Sequence, residues 1–323
     1  MEGLSDLQVR AFMELQYNFP VTAIDPYAHA ASSLGISEED LLAELRRLKS
    51  AGVLKRVGFY FNFRSQGKDA ALVAISTDDV ESIAKATRAD PLVTHSYLRD
   101  DPEYNVWIVI KRDSLDEIVK AAEELSRLSG ARRYVILTSV RTYKLSVKYD
   151  LIKGVSRAGP YAIVPPSAPR PEALGIPRTL PEALRSLPLE PSPYSAASRV
   201  SGLGVEEIVK VIPKLLQAGV LLDPGAAIDG ELVGFRENGM VVMEPSGAPE
   251  ELCEAAARSE YSTHVVLRSS IPEGAWRYPC YSMVHARSRD LVEEVAKTIA
   301  RDAGAKTYRV IYSLRDLKPG VAR

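Results

Sequence analysis

Cysteine, histidine and tryptophan are scarce in this chain. Its 323 residues contain two cysteines, two tryptophans and four histidines. Cys253 and Cys280 form no close pair in the sequence, which argues against a disulfide framework, a zinc ribbon or an iron–sulfur cluster. No apolar run approaches the length of a membrane span. The opening MEGLSDLQVRAF also lacks a basic stretch followed by an apolar one. Excess charge is missing too. Formal net charge is −1, from 41 basic and 42 acidic residues, so an anion-binding site must be a local cluster. These absences point to a cytoplasmic protein without membrane contact. Asn and Gln number four each, a scarcity common in proteins from hot environments. What is present is a globular composition, 46% apolar and 26% charged, with length enough for two or more domains.

The chain reads as a repeat of itself. PYAHAASSLGISEEDLLAELRRLKSAGVLKRVG (26–58) lies over PYSAASRVSGLGVEEIVKVIPKLLQAGVLLDPG (193–225) without a gap, with 11 of 33 positions identical. Downstream, THSYLR (94–99) matches THVVLR (263–268), and YVILTSVRTYK (134–144) matches YRVIYSLRDLK (308–318). Two copies joined head to tail follow from this. Ten of the 21 prolines fall between Pro160 and Pro193, a composition expected of a semi-rigid, extended tether.

Each copy has the same predicted order. Three short helices are followed by a two-stranded wing (VLKRVGFYFN in the first copy), which makes a winged helix-turn-helix. A βαββαβ series comes next, a ferredoxin-like sheet with helices on one face and the other face open. The fold class is therefore α+β, a tandem repeat of these two modules. The expected boundaries are winged helix-turn-helix 1 at 1–64, ferredoxin-like domain 1 at 65–152, a proline-rich linker at 153–181, winged helix-turn-helix 2 at 182–236 and ferredoxin-like domain 2 at 237–323.

A winged helix-turn-helix suggests DNA binding, but the recognition helices argue against it. The first opens Ser37-Glu38-Glu39-Asp40, where base edges and phosphates would be met. The second contains Pro213, which removes a helix hydrogen bond. No specific DNA binding is expected.

By the period of two, His95, Tyr97 and Arg99 share one strand face, as do Trp107, Val109 and Lys111 on the next strand. The second copy's sets are His264, Val266 and Arg268, then Tyr281, Met283 and His285. The opposite faces are mostly aliphatic and should pack under helices, so the polar and aromatic sets are expected on the open face. The alternative is that these aromatics fill an interface between two stacked sheets. His95 and His264 recur at corresponding positions, each with an arginine four residues on. His285 has Lys111 as its counterpart, and its case rests on Tyr278, Tyr281, Arg287 and Arg289 nearby. The first wing carries Lys55, Arg56, Arg64 and Lys68, which the second lacks, and arginine suits carboxylates because its planar fork donates two hydrogen bonds.

The strings KRVGFYFNFR, HSYLR, YNVWIVI, YVILTSVRTYK, WRYPCYSMVHARS and SLRDLK resemble the sirohaem decarboxylases, relatives of the Lrp/AsnC regulators. The resemblance covers both halves and looks like a fusion of that family's two related subunits. It departs at Lys111, where the family has a histidine, at Cys280, where Asn is usual, and in the second copy's loss of a basic wing. The resemblance implies removal of two acetate carboxyl groups from sirohaem to give didecarboxysirohaem, on a route to haem or haem d1, with no added cofactor. It implies His285 and His264 as catalytic residues, one serving instead as axial ligand to the substrate's iron. The implied substrate-binding residues are Lys55, Arg56, Arg64, His95, Arg99, Trp107, Lys111, Arg268, Tyr278, Tyr281 and Arg287, with the macrocycle stacked on Trp107 or Tyr281. The two copies would pair within the chain as a pseudo-heterodimer, open to further homo-oligomerisation. The competing readings are an Lrp/AsnC-type transcription regulator with a small-molecule ligand, and a haem-binding protein without turnover.

Overall fold

The elements of the first half run α1 (Asp6–Tyr17), α2 (Pro26–Leu34), α3 (Glu38–Ser50) and β1 (Leu54–Phe61), then β2 (Asp69–Ser76), α4 (Val80–Ala89), β3 (Val93–Arg99), β4 (Val106–Arg112), α5 (Leu115–Leu128) and β5 (Arg133–Leu145). A connecting stretch holds β6 (Tyr149–Asp150), β7 (Val155–Ser156), a 3-10 turn (Pro171–Leu174) and α6 (Thr179–Ala183). The second half continues with α7 (Tyr194–Ser201), α8 (Val205–Gln217), β8 (Leu221–Ile228), β9 (Glu237–Pro245), α9 (Pro249–Arg258), β10 (His264–Ile271), β11 (Cys280–Ala286), α10 (Arg289–Asp302) and β12 (Ala305–Asp316). This computed structural model describes residues 3–319, and among them no helix is long and apolar enough to cross a membrane.

The chain forms two compact units, and neither is one half of the sequence. Unit 1 takes the residues up to Gln66, Lys144–Arg236 and His285–Arg287; unit 2 takes Gly67–Tyr143, Glu237–Val284 and the residues from Ser288 onward.

Unit 1 is helical, and its helices begin where the sequence provides caps. Ser5 and Gln8 form a capping box on α1, Asp25 caps α2 ahead of Pro26, and Ser37 caps α3. Side chains of both helix-turn-helix segments enter one apolar core, among them Phe12, Leu15, Tyr27, Leu41, Leu45, Tyr194, Ile208, Ile212 and Leu215. The wing differs from expectation. Neither half makes a hairpin; β1 pairs antiparallel with β8, with Gly58 opposite Gly225. Each strand alone would leave an unpaired edge, and pairing them satisfies both. Both glycines are required: φ is +153° at Gly58 and +117° at Gly225, and a Cβ would lie 2.6 Å from the Leu184 carbonyl oxygen or 2.1 Å from that of Leu15. Pro213 sits inside α8, which continues past it to Gln217.

The proline-rich connection is no free tether. Leu145 N–H donates to the Ala162 carbonyl, and Ala162, Val164, Leu180, Leu184 and Leu187 are buried. Lys148 is buried within it, 3.1 Å from the Asp223 carboxylate, and also donates to the Pro224 carbonyl. Apolar side chains spaced among the prolines give this segment a surface to bury, so it packs as part of unit 1.

Unit 2 is a closed sheet. Strand order is β10-β5-β2-β4-β3-β12-β9-β11, and β11 pairs back onto β10. Each half contributes four neighbouring strands, with its helices outside; Ile83 of α4 and Ile118 of α5, for example, cover Val73, Ile108 and Ile136. The expectation of an open sheet face is thereby corrected. The inner faces enclose a core of Leu72, Tyr104, Trp107, Leu137, Met240, Val242, Trp276, Tyr278, Tyr281 and Ile311. An aromatic sheet face of that size is costly to leave in water, and two in one chain bury each other.

The cysteine expectation is corrected as well. Cys253 on α9 and Cys280 on β11 are both fully buried and joined as a disulfide, with Cα atoms 5.5 Å apart. Spacing along the chain says little about distance once a helix folds back over a strand.

Candidate functional site

The residues expected to form one platform fall into three environments. The first is the interior of unit 2. Trp107 is 1% exposed, Tyr281 4% and Tyr278 5%. Trp107 Nε1 donates to the Tyr104 carbonyl, and Trp276 makes edge contacts with the rings of Tyr104, Trp107 and Tyr278. These rings hold the closed sheet together, so they present no face on which a macrocycle could stack.

Arg99 and Arg268 belong to the same interior. Arg99 Nη1 donates to the Ile311 carbonyl on β12 (3.1 Å), and Arg268 Nη1 to the Leu137 carbonyl on β5 (3.1 Å) and to Ser139 Oγ (2.9 Å). Each guanidinium also lies over a tyrosine ring, Arg99 over Tyr97 of its own strand and Arg268 over Tyr281 of the neighbouring β11. β3 and β12 form one seam between the two groups of four strands, and β10 and β5 form the other. The repeated arginine of H-x-x-x-R thus stitches a seam in each copy, which corrects its assignment as a carboxylate clamp. Burial lowers the pKa of Arg268 to about 10, leaving it charged at neutral pH.

The second environment is the wing of unit 1. Lys55 Nζ lies 2.9 Å from the Asp229 carboxylate. Arg56 Nη1 donates to the Arg185 carbonyl, and burial lowers its pKa. Of the three basic wing candidates, Arg56 is half-buried, whereas Lys55 and Arg64 are exposed.

The third environment surrounds His285, which belongs to unit 1. β11 ends there by pairing Ala286 with Val155 of β7, while His285 N–H donates to the buried Ser156 Oγ (2.9 Å). The half-buried imidazole meets the Tyr149 ring at 5.6 Å and 64°, and Tyr149 in turn meets Phe235 at 4.9 Å and 67°. The Arg287 guanidinium lies over Phe235 at 5.4 Å and donates to the Leu151 carbonyl (2.8 Å). An imidazole, a guanidinium and two aromatic rings therefore converge in one small region. Sequence reasoning found His285 and Arg287 but missed Tyr149 and Phe235, which come from β6 and the end of the segment after β8. No motif marks them.

The other two candidate histidines lie in unit 2. His264 opens β10 and is half-buried. His95 Nδ1 lies 3.0 Å from Thr94 Oγ1, and the His95 ring is 6.3 Å from Tyr97. Lys111, two residues beyond the position opposite His95 on β4, is half-buried. Among the described residues no three His, Cys, Asp or Glu side chains converge as a metal site.

Comparison with known proteins gives a consistent picture. Residues 67–144 and 232–318, about half of the chain, match the family model for the AsnC-like ligand binding domain. Residues 11–54 match the model for the siroheme decarboxylase NirDL-like HTH domain. The siroheme decarboxylase NirDL subunit of Paracoccus pantotrophus is 28% identical over 97% of this chain and 95% of its own length. The siroheme decarboxylase of Hydrogenobacter thermophilus is 25% identical over 94% and 90%. The NirG subunit of siroheme decarboxylase from Pseudomonas aeruginosa is 31% identical, spanning 46% of this chain and 100% of its own. A crystal structure of the siroheme decarboxylase NirDL superposes with a TM-score of 0.62 at 23% identity, covering 96% of this chain and 91% of that one, which supports the fold. A second NirDL structure, in co-complex with an iron-uroporphyrin III analogue, superposes with the same TM-score at 22% identity over 97% and 92%.

Proposed function

The chain belongs to the siroheme decarboxylase family, and from that premise we propose that it removes the carboxyl groups of two acetate side chains of sirohaem. The products are didecarboxysirohaem and two molecules of carbon dioxide, which makes the protein a carbon–carbon lyase. The observation that carries this reading is the match to a decarboxylase subunit along 97% of the chain and 95% of the relative. The repeated order of elements supports a tandem duplication, a fusion of two related subunits whose halves pair within one chain.

In each decarboxylation the bond between the acetate methylene and its carboxylate carbon breaks. Carbon dioxide leaves, the electron pair stays on the methylene carbon in conjugation with the macrocycle, and a proton then converts that carbon to methyl. No added cofactor is needed for this balance. The protein supplies the proton and the position. A cation paired with the departing carboxylate would stabilise the ground state more than the transition state, so that carboxylate belongs beside apolar or aromatic surface. His285 fits the donor role: its imidazole is half-buried, its backbone is fixed by Ser156, and Tyr149 and Phe235 stand beside it. Arg287, two residues on, is suited to a carboxylate that does not react. In unit 2, His264, His95 and Lys111 remain candidates for carboxylate or iron contact, as does the exposed Arg64 in unit 1. Specific DNA binding is not part of this function, and the reaction belongs in the cytoplasm.

The test is anaerobic incubation with sirohaem, with products identified by mass. Loss of two carbon dioxide units is expected. Binding without any change of mass would replace this reading with that of a haem-binding protein.

A further inference from the structure

Tyr149 is absent from every motif in the chain, yet the fold holds it on all sides. Its backbone is clamped at both ends by one buried side chain of α1. Tyr149 N–H donates to Gln16 Oε1 (2.8 Å), and Gln16 Nε2 donates to the Tyr149 carbonyl (3.1 Å). One side of its ring meets Phe235 (4.9 Å) and another meets His285 (5.6 Å). Its hydroxyl end occupies the place of a missing side chain: a Cβ at Gly230 would lie 2.6 Å from Tyr149 Cζ and 2.7 Å from its oxygen. Only 8% of Tyr149 is exposed.

A backbone clamp, a ring contact and a glycine slot together determine where one ring lies, and that ring borders the imidazole. We propose that Tyr149 is a positioning residue for His285, holding the imidazole in the one orientation from which it can reach the substrate, with Gly230 and Gln16 fixing the ring. This rests on the reading of His285 as proton donor. An imidazole near the end of a strand turns about two side-chain torsions, and an aromatic wall restricts them before the substrate arrives. Misplacement of a donor by about 1 Å can cost on the order of a hundredfold in rate.

The experiment uses the full chain and three variants, Tyr149→Leu, Tyr149→Phe and Gly230→Ala. Single-turnover decarboxylation, sirohaem binding by absorption titration, and the imidazole proton signals in NMR are measured for each. In Tyr149→Leu the rate should fall about tenfold to a hundredfold while the dissociation constant changes by no more than about twofold. Tyr149→Phe, which keeps the ring, should recover most of that loss. Gly230→Ala, which displaces the ring, should lose rate as Leu does. The His285 signal, one of only four in the chain, should lose the ring-current shift in Tyr149→Leu and keep it in Tyr149→Phe. Should the leucine variant fail to fold, Gly230→Ala carries the same rate and NMR tests. Parental turnover in both Tyr149→Leu and Gly230→Ala, or a phenylalanine variant as slow as leucine, overturns the inference. If His285→Ala itself turns over normally, the donor assignment has failed instead, and the ring-current result still reports whether Tyr149 sets the imidazole's orientation.

Discussion

At the scale of single residues, Arg268 and His285 illustrate how one kind of signal leads to different ends. Both are polar side chains on strands rich in aromatics. Arg268 is half-buried and spends donors on the Leu137 carbonyl and Ser139 Oγ, so its loss should be felt before any substrate is present. Replacing it with Met leaves the Leu137 carbonyl without this donor and should destabilise the protein by about 1–3 kcal/mol, measured by denaturant unfolding of the free protein. A carboxylate clamp would instead leave stability intact and weaken sirohaem binding. For His285, replacement by Ala should lower single-turnover decarboxylation by about 10² to 10⁴ with binding retained. His95→Ala, changed in parallel, should mainly alter binding. Near-parental turnover in the first and severe loss in the second would move the chemistry to the first copy.

At the scale of elements, helix caps and strand periods were legible, whereas partners were not. Ser5, Asp25 and Ser37 each cap the helix that follows, because a cap acts within one turn of its own residue. The pairing of β1 with β8 lies beyond such local rules, and so does the disulfide between α9 and β11. That disulfide closes a loop of 27 residues' separation. Removing it, by reduction or by Cys253→Ser with Cys280→Ser, should lower stability by roughly 3–4 kcal/mol on a chain-entropy account. Unfolding curves with and without a strong dithiol reductant test this; coincident curves would mean that the bond contributes nothing.

At the scale of the whole molecule, each unit draws on both halves of the sequence. Neither half should therefore fold alone. Residues 1–152 and 153–323 expressed separately are expected to aggregate or to associate with their own copies, while co-expression should restore a complex with cooperative unfolding. Size-exclusion chromatography and thermal unfolding of the three samples decide it, and a stable, monomeric first half would contradict the mixed units. DNA binding is also a property of the whole. The acidic starts of α3 (Glu38, Glu39, Asp40) and α8 (Glu206, Glu207) face a polyanion unfavourably, so any duplex binding should be non-specific and fall steeply with salt. A sequence-specific footprint at physiological salt would count against this.

The sequence by itself determined the order of elements, the aliphatic faces beneath the helices and the resemblance to sirohaem decarboxylases. Each of these depends on residues close together in the chain or on a pattern repeated along it. The tertiary structure alone decided what the other faces do. Two sheet faces carrying Trp107, Tyr278 and Tyr281 turn inward on each other because the chain supplies both, and the gain from burying aromatic surface exceeds what either face gains by staying open. The same closure buries Arg99, half-buries Arg268 and gives their donors to carbonyls more than a hundred residues away. In unit 1 the fold sets His285 among Tyr149 and Phe235, residues that no spacing connects to it, because proximity in a folded chain is set by which surfaces pack and not by distance along the backbone.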